Sequence, residues 1–289
     1  MASSQEMSFG RFGRARQLKI ISARDLEAVL SLDEAHWVAT AAPIEMINCD
    51  STFLKLLDTD NNGRILCFEV KDAISWLIGL FDDIGGIAIG SEELSLDALK
   101  TGSPEADRVR QACSSVLREL GTSEARKVSL QEVRRVKVEI EKSPVSETGV
   151  VLPEATDDED IGQFIRDVVS MTGGADHPAG SKGIDKASMD KFLSEAKAYL
   201  DSQPDTQGQA DEPQSPVACL QIFRQASLGT SKLEEYLDER YRQAVDALIA
   251  RAGQTAARLA DVRLVEKAIL YQAYLLDFAN NFVSFPHLY

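Results

Sequence analysis

Asp58-Thr59-Asp60-Asn61-Asn62-Gly63-Arg64-Ile65-Leu66-Cys67-Phe68-Glu69 is the stretch from which the rest of the chain is read. Asp58, Asp60 and Asn62 stand at alternate positions, Gly63 is sixth and Glu69 is twelfth. Each of the four polar side chains offers oxygen, the donor that a hard divalent cation prefers. Leu66, at the ninth place, has no side-chain oxygen. Gly63 permits the positive backbone angle of a sharp turn. Ile65, at the eighth place, has the character of a short strand that needs a second strand to pair with.

Apolar residues flank this loop on both sides. Leu54 and Leu57 precede it, and Val70, Ala73, Ile74 and Leu77 follow at helical spacing. With ligands, glycine, eighth-place isoleucine and flanking helices in register, residues 44–78 resemble an EF-hand of the calcium-binding family. The resemblance implies one Ca2+ held by Asp58, Asp60, Asn62, the carbonyl of Arg64 and Glu69. The two-point grip of Glu69 favours calcium over the smaller magnesium, with a dissociation constant of about 10⁻⁷ to 10⁻⁵ M. The plainer alternative is an Asx-rich turn between two helices.

Two further segments fit the same frame in part. Residues 121–132 place Val128 eighth and Glu132 twelfth, but Gly121, Ser123 and Ala125 occupy the other ligand places and Arg126 replaces the glycine. That segment reads either as a hand without its metal or as a helix start, since Ser129 and Glu132 make a capping box. Residues 172–188 place Ile184 four before Ser188, with Met189, Phe192 and Leu193 beyond, but lack spaced carboxylates. It reads as a degenerate hand or as an ordinary helix connector. Val128 is the expected strand partner of Ile65, and one calcium per chain is the expected stoichiometry.

Elsewhere, Ser22 with Asp25 marks a helix start, and residues 43–57 read as one helix. Residues 84–90 read as a turn or short strand. Ser103-Pro104 opens a helix that Gly121 stops. Asp157, Asp158, Glu159 and Asp160 crowd another helix start, where negative charge is favoured. A glycine-rich loop over 173–183 leads to a further helix. Ser231 and Glu234 suggest a capping box, and a last helix is expected over 260–282.

The fold class expected is all-α: a loose N-terminus over 1–17, an EF-hand-like helix-loop-helix array over 18–200, a linker over 201–217 and a helical segment over 218–289. Residues 201–216 contain no large apolar side chain. Tyr271, Tyr274, Phe278, Phe282, Phe285 and Tyr289 gather at the end, as core packing or as a face for a protein partner. The apolar aromatic end reads as a segment docked on the core or as the edge of a longer parent protein.

A formal charge of −15 argues against nucleic acid as a partner. No run approaches the roughly 18 apolar residues of a membrane span. The arginine-bearing start lacks the apolar stretch of a secretory signal, so a cytoplasmic protein is expected. Cys49, Cys67, Cys113 and Cys219 show no paired spacing and read as small core residues, and His36, His177 and His287 share no metal-ligand spacing. No catalytic set is legible, so the chain does not read as an enzyme. The expectation is a regulatory or adaptor module holding one Ca2+. The alternatives are a protein in which calcium only stabilises the fold, or the regulatory part of a larger enzyme or assembly.

Overall fold

A computed structural model describes residues 9–12, 15–20, 22–34, 37, 40–202 and 228–284. The described chain is mostly helical, with four two-stranded antiparallel sheets. It divides into two compact units: Met1–Lys137 with Ala260–Tyr289, and Val138–Leu259. That division differs from the one composition suggests. The segment 138–200 belongs with 228–259, and the last helix returns to the first unit. The stretch 203–217 of the expected linker lies outside the described residues, as do His36, Cys219, Phe285, His287 and Tyr289.

In the first unit, β1 (Phe9–Phe12) and β2 (Ala15–Leu18) pair as a hairpin within the stretch expected to be loose. Helix α1 (Ala23–Ser31) begins where the Ser22 amide and hydroxyl both donate to Asp25, at 2.8 Å each. The single helix expected over 43–57 is instead three pieces. Pro43 ends β3 (Ala41–Pro43), Ile44–Met46 makes one 3-10 turn, and Asp50 starts α2 (Ser51–Leu57) afresh. Its carboxylate takes the N–H groups of Thr52 and Phe53, which have no intrahelical partner. The chain then passes through the oxygen-rich loop into β4 (Arg64–Leu66) and α3 (Cys67–Leu80).

The same sequence of pieces follows again. Residues 84–90, expected as turn or strand, contain a short helix, α4 (Gly85–Ala88). After it come β5 (Glu93–Ser95), a 3-10 turn at Leu96–Ala98, α5 (Pro104–Glu119), β6 (Lys127–Ser129) and α6 (Leu130–Glu141). Ser103 caps α5, with Pro104 at its first position, as the sequence indicates.

The strand pairing corrects one expectation. Ile65 pairs with Ala42, and Val128 pairs with Leu94. Each loop therefore finds its partner strand just upstream in sequence rather than in the other loop. The two pairs are closed alike: Ile44 N–H donates to the Gly63 carbonyl at 3.0 Å, and Leu96 N–H to the Arg126 carbonyl at 2.9 Å. Gly63 and Arg126 are both sixth in their frames.

The second unit uses the device a third time. Val151 and Ile184 exchange backbone hydrogen bonds of 2.8 and 2.9 Å, and a 3-10 turn at Pro153–Ala155 follows Val151. Helix α7 (Glu159–Thr172) is capped by Asp158 and ended by Gly173; β7 (Ala175–Asp176) and β8 (Lys182–Gly183) lead into α8 (Lys186–Asp201). Helix α9 (Thr230–Tyr236) starts one residue before the expected box, so Ser231 lies inside it. Helices α10 (Glu239–Ile249) and α11 (Ala252–Ser284) follow. The core of this unit is aromatic: Phe164 meets Phe192, Tyr236 and Tyr241 at centroid distances of 5.8, 4.9 and 5.1 Å.

Residues 260–284 of α11 lie in the core of the first unit. Tyr271, Phe278 and Phe282 are buried there, while Tyr274 is half-buried. Phe53 of α2 packs against Tyr271, Tyr274 and Phe278 with centroids 5.5 to 6.0 Å apart. These aromatics serve as core, which is one of the two roles their clustering allows. Among the described residues no helix is long and apolar enough to cross a membrane.

Candidate metal centre

Local backbone forces gather the loop between α2 and α3. One oxygen of Asp58 accepts the N–H of Asn62 at 3.0 Å and the other accepts that of Gly63 at 3.0 Å. The chain thus wraps around the first carboxylate. Asn61 and Gly63 both adopt positive φ, 55° and 76°, which makes the wrap this tight. At the far end, Glu69 accepts the Leu66 N–H at 2.9 Å through Oε2, and the N–H and hydroxyl of Thr59 at 2.6 and 2.9 Å through Oε1. The twelfth residue is thereby bound to the second and ninth of the loop.

The result is that carboxylate oxygens of Asp58, Asp60 and Glu69 all lie within 4.8 Å of one another. Asp58 and Glu69 are buried, at 7% and 1% exposure, whereas Asp60 is exposed. Among the described residues no lysine or arginine forms an ion pair with any of the three. Burying like charges without a cation is costly. Oxygens on opposite sides of a calcium ion stand up to about 5 Å apart, so the spacing suits that ion. The hard oxygen donors suit it as well.

Of the five residues the sequence singles out, three are thus brought together. Asn62 sits at the rim, exposed; its Nδ2 donates to Asp60 Oδ2 at 2.9 Å and its Oδ1 accepts the Arg64 N–H at 2.8 Å. Arg64 begins β4 with its side chain exposed. Thr59 is the loop residue that sequence reasoning passes over. Its hydroxyl at the second place was the available signal.

The comparable positions in the other loops lack converging carboxylates. Glu132 Oε2 accepts the N–H and hydroxyl of Ser129 at 2.9 and 2.8 Å, bonds that hold its carboxyl below the ordinary value. Arg126 pairs with Asp97 at 3.3 Å. In the third loop Asp185 accepts the Ser188 N–H at 2.8 Å, and Asp176 pairs with Lys182 at 2.6 Å. His177 is buried and accepts the Ala179 N–H through Nδ1. Among the described residues only Asp58, Asp60 and Glu69 form a cluster with metal-ligand spacing.

One contact from α11 reaches the helix that enters the loop, and a second link runs from α11 through Arg134 of α6. The Tyr271 hydroxyl donates to the Leu56 carbonyl at 2.8 Å, two residues before Asp58. At the other end of α2, Arg134 bonds both Asp50 (2.7 Å) and the buried Glu266 (3.1 Å), and Lys137 adds a second cation to Glu266 at 2.9 Å. No sequence signal links these partners, which lie 84 to 215 positions apart. No protein-family model, curated protein or solved structure matches the chain in comparison with known proteins.

Proposed function

We propose that residues 44–78 form an EF-hand, within an EF-hand-like array, and that the chain is a calcium-binding regulatory or adaptor protein holding one Ca2+. The ligands are Asp58, Asp60, Asn62, the Arg64 carbonyl and Glu69. The observation that carries this reading is the convergence of three carboxylates, two of them buried, with no lysine or arginine among the described residues in an ion pair with them. The ion supplies the missing positive charge. The chain's own part is to fix the donors: Gly63 and Asn61 turn the loop, Thr59 and Leu66 orient Glu69, and α2 and α3 set its two ends.

Calcium titration of the chelator-treated protein by calorimetry tests the proposal. One site is expected, and Glu69→Gln is expected to weaken it at least tenfold, equivalent to ~1.4 kcal/mol. That is a low bound, because a unit charge at about 4 Å is worth roughly 4 kcal/mol at an effective dielectric of 20. A variant that titrates like the parent places the site elsewhere.

A second reading, that calcium only stabilises the fold, draws support from the buried contacts of α11 with α2 and α3. A staple raises the melting temperature without new binding of a hydrophobic dye, whereas a sensor that opens increases dye binding.

A further inference from the structure

The helix that enters the candidate loop is held at its last turn by α11 directly and at its cap by Arg134 of α6, which α11 in turn holds through Glu266. The carbonyl of Leu56 belongs to the last turn of α2, where carbonyls lack intrahelical donors. The Tyr271 hydroxyl fills that place at 2.8 Å. At the first turn, the cap residue Asp50 is joined through Arg134 to Glu266, five residues before Tyr271 on α11. The Tyr271 ring also meets both flanking helices, with Phe53 of α2 at 6.0 Å and Trp76 of α3 at 5.6 Å, each edge-on. Lys267 sits over Trp76 and Tyr271, at 4.5 and 5.3 Å from the ring centres. One buried side chain thus fixes α2 and α3 relative to each other, and with them the two ends of the loop.

We infer that Tyr271 is a positioning residue for the metal loop and that segment 260–284 is a built-in ligand of the first unit, whose docking and calcium binding strengthen each other. The inference rests on the calcium reading above. Its direction follows from the arrangement. With the helix docked, the three carboxylates already stand within 4.8 Å. Calcium favours whichever state presents its donors assembled. By reciprocity, an ion that binds the docked state better also tightens docking by the same factor. In the calcium-bound chain the buried face of Tyr271, Phe278 and Phe282 is then withheld from any protein partner.

The test uses the full chain. Calcium affinity is measured by calorimetry for the parent, Tyr271→Phe, Tyr271→Ala and Glu69→Gln, and amide hydrogen exchange over 260–284 is measured for the parent with and without calcium. Tyr271→Phe is expected to weaken calcium about threefold, the loss of one hydrogen bond. Tyr271→Ala is expected to weaken it about tenfold or more, within the usual range of coupling between sites. Calcium is expected to slow exchange over 260–284 in the parent. A purely structural tyrosine lowers the melting temperature and leaves the affinity of the folded chain unchanged. That result, with the parent binding calcium, overturns the inference and leaves the site intact, as does faster exchange over 260–284 on adding calcium. A parent that binds no calcium overturns both. Should Tyr271→Ala not fold, Tyr271→Phe and the exchange data on the parent decide.

Discussion

The carboxylate of Asp50 accepts the N–H groups of Thr52 and Phe53 through one oxygen and the Arg134 guanidinium through the other. Burial alone would push its carboxyl up, but Arg134 and the two backbone donors outweigh it and hold the group below the ordinary value. The unfolded chain therefore takes up a proton first as pH falls. Asp50 contributes its full stability above the unfolded value of about 3.9, and loses it as pH drops through the lower folded value. Asp50→Asn is expected to flatten the acid limb of a stability-against-pH curve, measured by denaturant unfolding. Asp50→Ala also removes the cap and is expected to cost roughly 1–2 kcal/mol near neutrality. At this scale the candidate ligand pattern is local: twelve consecutive residues carry it, and the structure brings the carboxylates of Asp58, Asp60 and Glu69 together. Arg134, Glu266 and Tyr271 were not legible, since their relation to α2 arises only from packing. Of the described cysteines, Cys67 and Cys113 are core residues as read, whereas Cys49 is half-buried; burial pushes the thiols of Cys67 and Cys113 up to about 11 and about 12.

Strand partners are the elements that sequence reading missed. Ala41–Pro43 and Glu93–Ser95 are three residues long, and Val151 contributes a single bridge. Segments this short carry no periodicity, so nothing in their composition sets them apart from a turn. Helices did carry it: α5 lies between Ser103-Pro104 and Gly121, and α7 lies between the acidic run over 157–160 and the glycine-rich stretch over 173–183. Two glycines show what the loops demand. A Cβ on Gly63 would meet nothing within 4 Å, so Gly63→Ala costs only the strain of φ +76°, about 1–2 kcal/mol. A Cβ on Gly183 would lie 2.5 Å from the Val151 carbonyl oxygen and 2.8 Å from Val150 Cγ1. Gly183→Ala must therefore push β8 away from Val151 and break the Val151–Ile184 exchange. Thermal unfolding should show it destabilised by about 3 kcal/mol or more, well beyond Gly63→Ala. Equal losses in the two variants would mean that this pairing adds nothing to the second unit.

For the molecule as a whole, composition pointed to a break near residue 201, whereas compactness follows contacts that cross the chain. Residues 260–284 complete the first unit after 138–259 have formed the second. A helix that returns over so long an interval leaves no trace in local pattern, because its apolar face looks the same whichever core receives it. The stoichiometry of calcium, by contrast, is a sum over loops and can be argued from them. Only one described cluster has converging carboxylates; around Glu132 the other ligand places hold Gly121, Ser123 and Ala125, and Asp176 is paired with Lys182. One ion per chain is therefore expected. The net charge of −15 adds a long-range attraction that all of the acidic surface shares. Raising ionic strength from 0.01 to 0.15 M shortens the screening length from about 30 to about 8 Å. That removes most of the contribution from distant carboxylates and leaves the loop's own ligands untouched. Calorimetry at the two salt concentrations should show one site in both, with affinity lower by roughly threefold to tenfold at the higher. An unchanged affinity would assign the binding wholly to the loop. A second site that appears only at low salt would mark diffuse association with the acidic surface rather than a further loop.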